Sequence, residues 1–287
     1  MNNREYKDAL FKFLFGSQER KEWTLSLYNA VNNSNYTNVD DLTIVTLEDV
    51  LYIGMKNDVS FLFHNSINLY EQQSSFNPNM PFRMLEYYVE QTNRYIKENQ
   101  MSVYGPKLMK LPTPNFVVFY NGEYKSNIKE FKLSDMYECT DGNIELLVKV
   151  YNINEDGDKS LLDKCFILDS YSKIVENIRK LKIAGLTIEK AIDKALDEMP
   201  NNEVKDLLIL EKKEVTTMLK TEYNEEEFKK EYGTAMKNIG KEEGREEALN
   251  ETVLKLKNYG LDDISIASIV NYSLDEVEKI IKEDSLL

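Results

Sequence analysis

Two carboxylates and an amide occur at a spacing that suits a metal-binding site. Twelve residues separate Asp58 from Glu71, and Gln73 follows two positions after Glu71. Successive side chains of a β-strand point to opposite faces, so a hairpin through this segment would place all three side chains on one face. Carboxylates that are buried in a sheet need a partner, and a metal ion that prefers oxygen ligands is a natural one. The pattern therefore predicts a metal site at the end of a hairpin.

The segment that carries this spacing has the composition of a β-hairpin. Two short runs rich in Val, Ile, Phe and Tyr flank a polar break at residues 64–66, which is typical of two strands joined by a tight turn. A loop that starts at His64 would place Asp58 opposite Glu71. A loop that starts one residue later would place Asp58 opposite Gln73 instead. Both alternatives leave the same side chains on one face, and its other members are Leu62, Ile67 and Leu69.

Length and composition bound the class of protein. The chain has 287 residues, of which 42% are hydrophobic and 30% charged, as expected of a soluble globular protein with one large domain or one core plus an appendage. No apolar run is long enough to span a bilayer and the N-terminus lacks a signal-peptide core, so we expect a cytoplasmic protein without a membrane partner. Cys139 and Cys165 lack metal-ligand spacing and are expected to be free thiols.

Histidine content and net charge exclude some functions and restrict others. His64 is the single histidine, which excludes histidine-rich zinc sites and argues against a Ser-His-Asp triad. As a hairpin-loop residue it is expected to be a solvated turn residue. The net charge of −14 argues against a broad basic surface for nucleic acid. It leaves room for a nuclease with a local basic cleft, whose DNA affinity would be weak and salt-sensitive.

The predicted elements of the first half give an α/β fold. In chain order they are amphipathic helices at 4–15 and 18–31, a strand at 42–47, the hairpin, a helix from Pro81 to about Asn99, a buried strand at 116–120 and a strand at 144–151. Such an order predicts an α/β/α sandwich with a mixed central sheet. From about residue 158 the pattern is helical, with segments at 160–183, 187–199, 203–221 and 225–258.

The C-terminal tail has the pattern of two short helices joined by a tight turn. Gly260 ends one helix, Asp262 or Asp263 can cap the next, and Ser273 can cap the last. This resembles a helix-turn-helix unit, for which the functional interpretation is DNA contact. The tail is acidic, however, and phosphates would repel an acidic recognition helix. We therefore favour a packing or protein-contact module.

Four segments in order resemble one nuclease family. Asp-x(12)-Glu-x-Gln is similar to the PD-(D/E)XK nuclease signature, with Gln73 where that superfamily usually has lysine. The further segments are Asp8-x-x-Phe11-Lys12-x-x-Phe15-Gly16, the run from Glu71 through Asn77-Pro78-Asn79 to Arg83, and Leu111-Pro112-x-Pro114 followed by Phe116 to Gly122. Together they resemble the Rpn family of recombination-promoting nucleases, which are often described as transposases. The resemblance covers residues 1–150 closely and the helical remainder loosely.

The resemblance implies a domain organisation and an activity. It implies a PD-(D/E)XK nuclease-like core at residues 1–157, a helical extension at 158–240 and a helix-turn-helix-like C-terminal hairpin at 241–287. The implied activity is that of a metal-dependent DNA endonuclease, which hydrolyses phosphodiester bonds in recombination, mobile elements or phage defence. Double-strand cleavage with one active site per chain is simplest with two chains, so a homodimer is expected besides the DNA partner.

The resemblance also assigns roles within the predicted site. Asp58 and Glu71 would bind Mg²⁺, or Mn²⁺ in its place, with the backbone carbonyl of Gln72 as a third ligand. Gln73 would be catalytic by orienting the attacking water. Glutamine brings hydrogen bonds but no charge, which puts the rate of a site without the superfamily lysine in question.

Four neighbouring residues have alternative roles. Lys12 or Arg83 would supply the missing cation and contact the substrate, although Lys12 equally suits the surface and Arg83 equally suits a clamp on the hairpin. Tyr87 lies one helical turn beyond Arg83 and would line the same cleft or pack in the core. Asp8 would reach the metal or, as we favour, cap its helix or face solvent.

Two further function classes compete with the nuclease. One is a catalytically weak or inactive protein that binds DNA or protein through the same fold. The other is an unrelated α/β protein whose carboxylates are structural.

Overall fold

The structure, a computed structural model, describes residues 9–45, 58–122, 128–139, 142–220 and 248–284. The chain divides into two compact units, Met1–Glu222 and Tyr223–Leu287. In the described ranges the first unit is mixed α/β and the second is helical. No helix within these ranges is both long and apolar enough to cross a membrane. Asp8 and the predicted strand positions 46 and 47 lie outside them, as do residues 225–247 of the fourth predicted helical segment.

The first unit is built on a six-stranded mixed sheet. Its strands are β1 (Leu42–Ile44), β2 (Val59–Phe63), β3 (Ser66–Gln73), β4 (Thr113–Tyr120), β5 (Glu130–Lys132) and β6 (Leu147–Asn152). The order across the sheet is β1-β2-β3-β4-β6-β5. Strands β3, β4 and β6 are mutually parallel, whereas β1 and β2 on one side and β5 on the other pair antiparallel. The predicted mixed α/β architecture is confirmed, and the edge strand β5 is an addition to it.

Helices and loops make up the rest of the first unit in the described ranges, and the described part of the second unit is also helical. In chain order, the helices are α1 (Ala9–Phe15), α2 (Lys21–Asn32), α3 (Met80–Glu98), α4 (Lys159–Leu162), α5 (Phe166–Ile183), α6 (Ile188–Glu198), α7 (Glu203–Leu210), α8 (Asp263–Val270) and α9 (Leu274–Asp284). Short 3-10 turns span Gln18–Arg20 and Leu133–Met136, and residues 212–220 and 248–258 are also helical. The predicted segment 160–183 is two helices, because the chain turns between α4 and α5.

The hairpin of β2 and β3 has the first of the two predicted registers. Val59 pairs with Tyr70 and Phe63 pairs with Ser66, so the loop is His64-Asn65. His64 adopts a left-handed backbone conformation with φ of 50° and is exposed, as expected of a turn residue. Extending this register by one pair places Asp58, the residue just before β2, opposite Glu71.

Helices cover both faces of the sheet. Ile67 and Leu69 of β3 pack in one apolar cluster with Met84 of α3. On the opposite face, the ring of Phe119 in β4 lies 5.4 Å from that of Phe11 in α1. The Phe11 ring in turn lies 5.7 Å from that of Tyr171 in α5. Aromatic contacts of this kind contribute about 0.5–1.5 kcal/mol each beyond the burial of their area.

The described part of the second unit is a small helical cluster. Its buried core consists of Val253, Ile266, Val270 and Val277. The Asp262 carboxylate accepts a hydrogen bond from the Ser265 N–H at 3.0 Å, and Ser273 with Glu276 forms a capping box at the start of α9. The predicted caps at Asp262 and Ser273 are confirmed.

Strands β3 and β4 leave little space between them where they end. A Cβ at Gly122 would clash with the carbonyl oxygen of Ser74 and would lie 2.5 Å from the hydroxyl oxygen of Tyr120. The N–H of Asn121 continues the pairing by donating to the carbonyl of Gln73 at 3.1 Å. Glycine at position 122 therefore permits the close approach that holds the end of β3 in place.

We expect Gly122→Ala to destabilise the protein by about 1–3 kcal/mol, because the added methyl group must displace backbone. Urea unfolding monitored by circular dichroism measures the loss. The matched control is Gly105→Ala, where the nearest atom lies 3.3 Å from the added Cβ, and its effect should stay within about 0.5 kcal/mol. Equal midpoints for the two variants would contradict the close approach.

Candidate active site

The candidate site lies at the carboxyl end of β3, on the face covered by α3. Glu71 and Gln73 share this face with Ile67 and Leu69, because they are separated by even numbers of residues along one strand. Glu71 is 1% exposed, Asp58 5% and Gln73 9%. The structure thus brings the three predicted catalytic residues to one face and buries them, which is costly for carboxylates unless other groups compensate.

Asp58 is held by the backbone of the neighbouring strand. Its Oδ2 accepts a hydrogen bond from the N–H of Gln72 at 2.7 Å. A strand residue directs its N–H and C=O towards the same neighbour. The carbonyl of Gln72, the predicted third metal ligand, therefore faces the side of β3 on which Asp58 lies.

Glu71 contacts an arginine from α3 and the amide of Gln73. Its Oε2 lies 3.5 Å from Nη2 of Arg83 and accepts a hydrogen bond from Nε2 of Gln73 at 3.3 Å. The same Nη2 of Arg83 donates to the hydroxyl of Tyr87 at 2.8 Å. Arg83 and Tyr87 are one helical turn apart on α3, so the helix presents both to the carboxylates.

The electrostatics of the site keep the side chains of Arg83 and Tyr87 protonated. Burial by itself would lower the pKa of Arg83, but the negative charge of Glu71, with help from Tyr87 and Asp58, raises the pKa above its usual value. Burial raises the pKa of the Tyr87 hydroxyl, and Glu71 raises it further, against the lowering effect of Arg83. At neutral pH the site therefore holds a guanidinium cation next to a neutral phenol.

The side chain of Gln72 lies on the other face of the sheet and belongs to a second polar network. Its Nε2 donates to Oδ1 of Asn121 at 2.6 Å. Arg179 of α5 donates to the backbone carbonyl of Asn121 and also to its Oδ1, the latter at 3.3 Å. Only the backbone of Gln72 is thus available to the candidate site. Sequence analysis missed Asn121 and Arg179 as supporting residues, because 58 positions separate them.

The end of α1 lies close to Asp58. Gly16 donates its N–H to the carbonyl of Lys12 at 2.7 Å. A Cβ at Gly16 would lie 2.8 Å from that carbonyl oxygen and 3.6 Å from the carbonyl oxygen of Asp58. The half-buried Lys12 is therefore on the helix turn nearest to the start of β2, which keeps it a candidate substrate contact.

The donor set is compatible with magnesium. Two carboxylates and a strand carbonyl supply hard oxygen ligands. Within the described residues no three His, Cys, Asp or Glu side chains are grouped as a metal cluster. Magnesium suits a sparser set, since it commonly uses one or two carboxylates and keeps several waters.

Comparisons of the chain with protein-family models, with curated proteins and with solved structures found no match. The residues of the site are therefore the basis for assigning a function.

The hydroxyl of Tyr87 should contribute measurably to stability through Arg83. We expect Tyr87→Phe to lower the free energy of unfolding by about 1–3 kcal/mol, because it leaves a half-buried guanidinium group without its shortest hydrogen bond. Urea unfolding measures the change. The control is Tyr88→Phe, the same substitution at the next, half-buried position of α3, with an expected change below about 0.5 kcal/mol. Indistinguishable variants would rule out this role for the hydroxyl.

Proposed function

We propose that this chain is a magnesium-dependent DNA endonuclease of the PD-(D/E)XK type, related to the Rpn family, with Mn²⁺ as an alternative ion. In this proposal the mixed sheet and the helices on its two faces are the nuclease-like α/β/α core. The observation that carries the proposal is the burial of Asp58 and Glu71 on one face of the sheet, on neighbouring segments of a hairpin and beside the Arg83 cation.

Phosphodiester hydrolysis needs an activated water, stabilisation of charge on the phosphate and a protonated leaving oxygen. Magnesium held by Asp58, Glu71 and the Gln72 carbonyl would supply the first two by lowering the pKa of bound water and polarising the phosphate. Gln73 is the orienting residue. Its amide nitrogen donates to Glu71, which leaves the amide oxygen as an acceptor for a proton of the attacking water.

Substrate binding relies on a few local cations in an acidic protein. Arg83 is the candidate beside the Glu71 carboxylate, and Tyr87 lines the same site by holding it. Lys12 is the second candidate, in the last turn of α1, whose end lies close to the backbone of Asp58. With a net charge of −14, the chain would bind DNA weakly and with strong salt dependence unless a second copy adds positive surface. A homodimer would also place two active sites on one duplex.

The proposed setting is the cytoplasm, in recombination, mobile elements or phage defence. The C-terminal unit, with acidic caps at Asp262 and Glu276, is proposed as a packing or protein-contact module that does not read DNA.

A second candidate function is a catalytically weak or inactive nuclease-fold protein that binds DNA or protein. One observation favours it: the buried Glu71 carboxylate already has protein partners, because it contacts Arg83 and accepts a hydrogen bond from Gln73. A site of this kind would remain folded after the protein had lost its catalytic activity.

Plasmid cleavage tests the proposed activity. We expect wild-type protein to nick or linearise plasmid DNA with Mg²⁺ or Mn²⁺, and Asp58→Asn and Glu71→Gln each to reduce the rate by about 100-fold or more, since each removes charge from the metal site. The matched control is Glu130→Gln, a carboxylate-to-amide change at an exposed position of β5. Folded wild-type protein that cleaves nothing with either metal would support the binding protein instead.

Metal binding should also raise the free energy of unfolding. At a Mg²⁺ concentration of about 100 times its dissociation constant, we expect the wild type to gain about 2.7 kcal/mol, because the ion binds only the folded site. The gain should disappear in Asp58→Asn and persist in Glu130→Gln, as measured by urea unfolding with and without the ion. A wild type that shows no gain would indicate that the carboxylates are structural.

A further inference from the structure

Arg83 has an unused hydrogen-bond donor inside the candidate site. Its Nε–H is buried and finds no acceptor among the described residues. The neighbouring Nη2 of the same guanidinium group is occupied, since it contacts both Glu71 and the hydroxyl of Tyr87. A buried N–H without a partner is unfavourable, and an acceptor that entered the site would remove this cost.

The contact between Arg83 and Glu71 is loose. Its 3.5 Å separation exceeds the roughly 2.7–2.9 Å of a strong charge-assisted hydrogen bond. The bond from Gln73 to the same Oε2 of Glu71 is also long, at 3.3 Å. The short bond of Arg83 is the 2.8 Å one to Tyr87, so Tyr87 fixes the guanidinium group and the contact with Glu71 is the weaker of the two.

We infer that Arg83 is the oxyanion receptor of this site, and that its ion pair with Glu71 couples the binding of a phosphate group to the binding of a divalent cation. This inference rests on the proposed function and adds the means by which the phosphate is recognised. The ligand chemistry is a tetrahedral phosphate, as found in a nucleic-acid backbone or as free phosphate. The planar guanidinium group can offer its Nε–H and one Nη–H to two oxygens of such a group.

The charges of the site make the two ligands interdependent. The negative charges of the Asp58 and Glu71 carboxylates exceed the single positive charge of Arg83. Without a cation, the net charge of the three groups is therefore negative and repels a phosphate. A divalent cation on the carboxylates reverses the sign of that sum and releases Arg83 from neutralising Glu71. By thermodynamic linkage, a phosphate must then strengthen cation binding by the same factor by which the cation strengthens phosphate binding.

Calorimetric titration of the full chain with MgCl₂ tests this coupling, with and without inorganic phosphate at constant ionic strength. We expect phosphate to lower the dissociation constant of Mg²⁺ by about fivefold or more in the wild type. In Arg83→Gln, the phosphate effect should fall below about twofold, while Mg²⁺ alone should bind more tightly because no cation competes for Glu71. Arg83→Lys keeps the charge but loses the Nε–H and should retain only part of the coupling.

The matched control is Arg94→Gln, which removes the same charge from an exposed position of α3, about 16 Å further along the helix. It should leave both titrations unchanged. Tyr87→Phe is the second variant, because it loosens Arg83 without removing charge and should weaken the coupling even where Arg83→Gln fails to fold.

The outcomes separate this inference from the proposed function. Wild-type protein that binds Mg²⁺ with the same affinity with and without phosphate would overturn the inference and leave the proposed nuclease intact. Full phosphate coupling in Arg83→Gln and Tyr87→Phe would also overturn it. Wild-type protein that binds no Mg²⁺ would overturn the proposed function, and the inference with it.

Discussion

Burying Asp58 and Glu71 beside each other costs free energy that neighbouring groups must offset, because a desolvated carboxylate is much less stable than one in water. The sheet offsets part of it with a backbone N–H to Asp58. Helix α3 offsets a further part with Arg83, which Tyr87 holds in place. Helix α3 is thus joined to the end of the hairpin by a polar contact as well as by its apolar contacts with β3.

The end of β3 is held from both faces of the sheet. On the α3 side lies the cluster of carboxylates and guanidinium group. On the other side, Gln72, Asn121 and Arg179 join β3, β4 and α5 through hydrogen bonds. Parallel pairing with β4 along all eight residues of β3 supplies the frame between them. The site is therefore built on the most extensively paired strand of the described sheet, where positional precision is highest.

Period-two alternation was sufficient to place Asp58, Glu71 and Gln73 on one face, because either register of the hairpin gives the same faces. The register itself depended on whether the loop is His64-Asn65 or starts one residue later, which the sequence left open. Strand β5 is only three residues long and carries too little alternation to be recognised. The network of Asn121 and Arg179 arises from tertiary contacts across a large sequence separation, for which local patterns contain no signal.

Gln72 contributes to the polar groups on both faces of the sheet. Its N–H fixes Asp58, while its side chain is tied through Asn121 to α5. Any shift of α5 that pulls on Asn121 would therefore rotate the strand beneath Asp58 and alter the spacing of the two carboxylates. The sensitivity of this site to change extends through the sheet, so substitutions in α5 can alter the carboxylates although α5 lies on the other face.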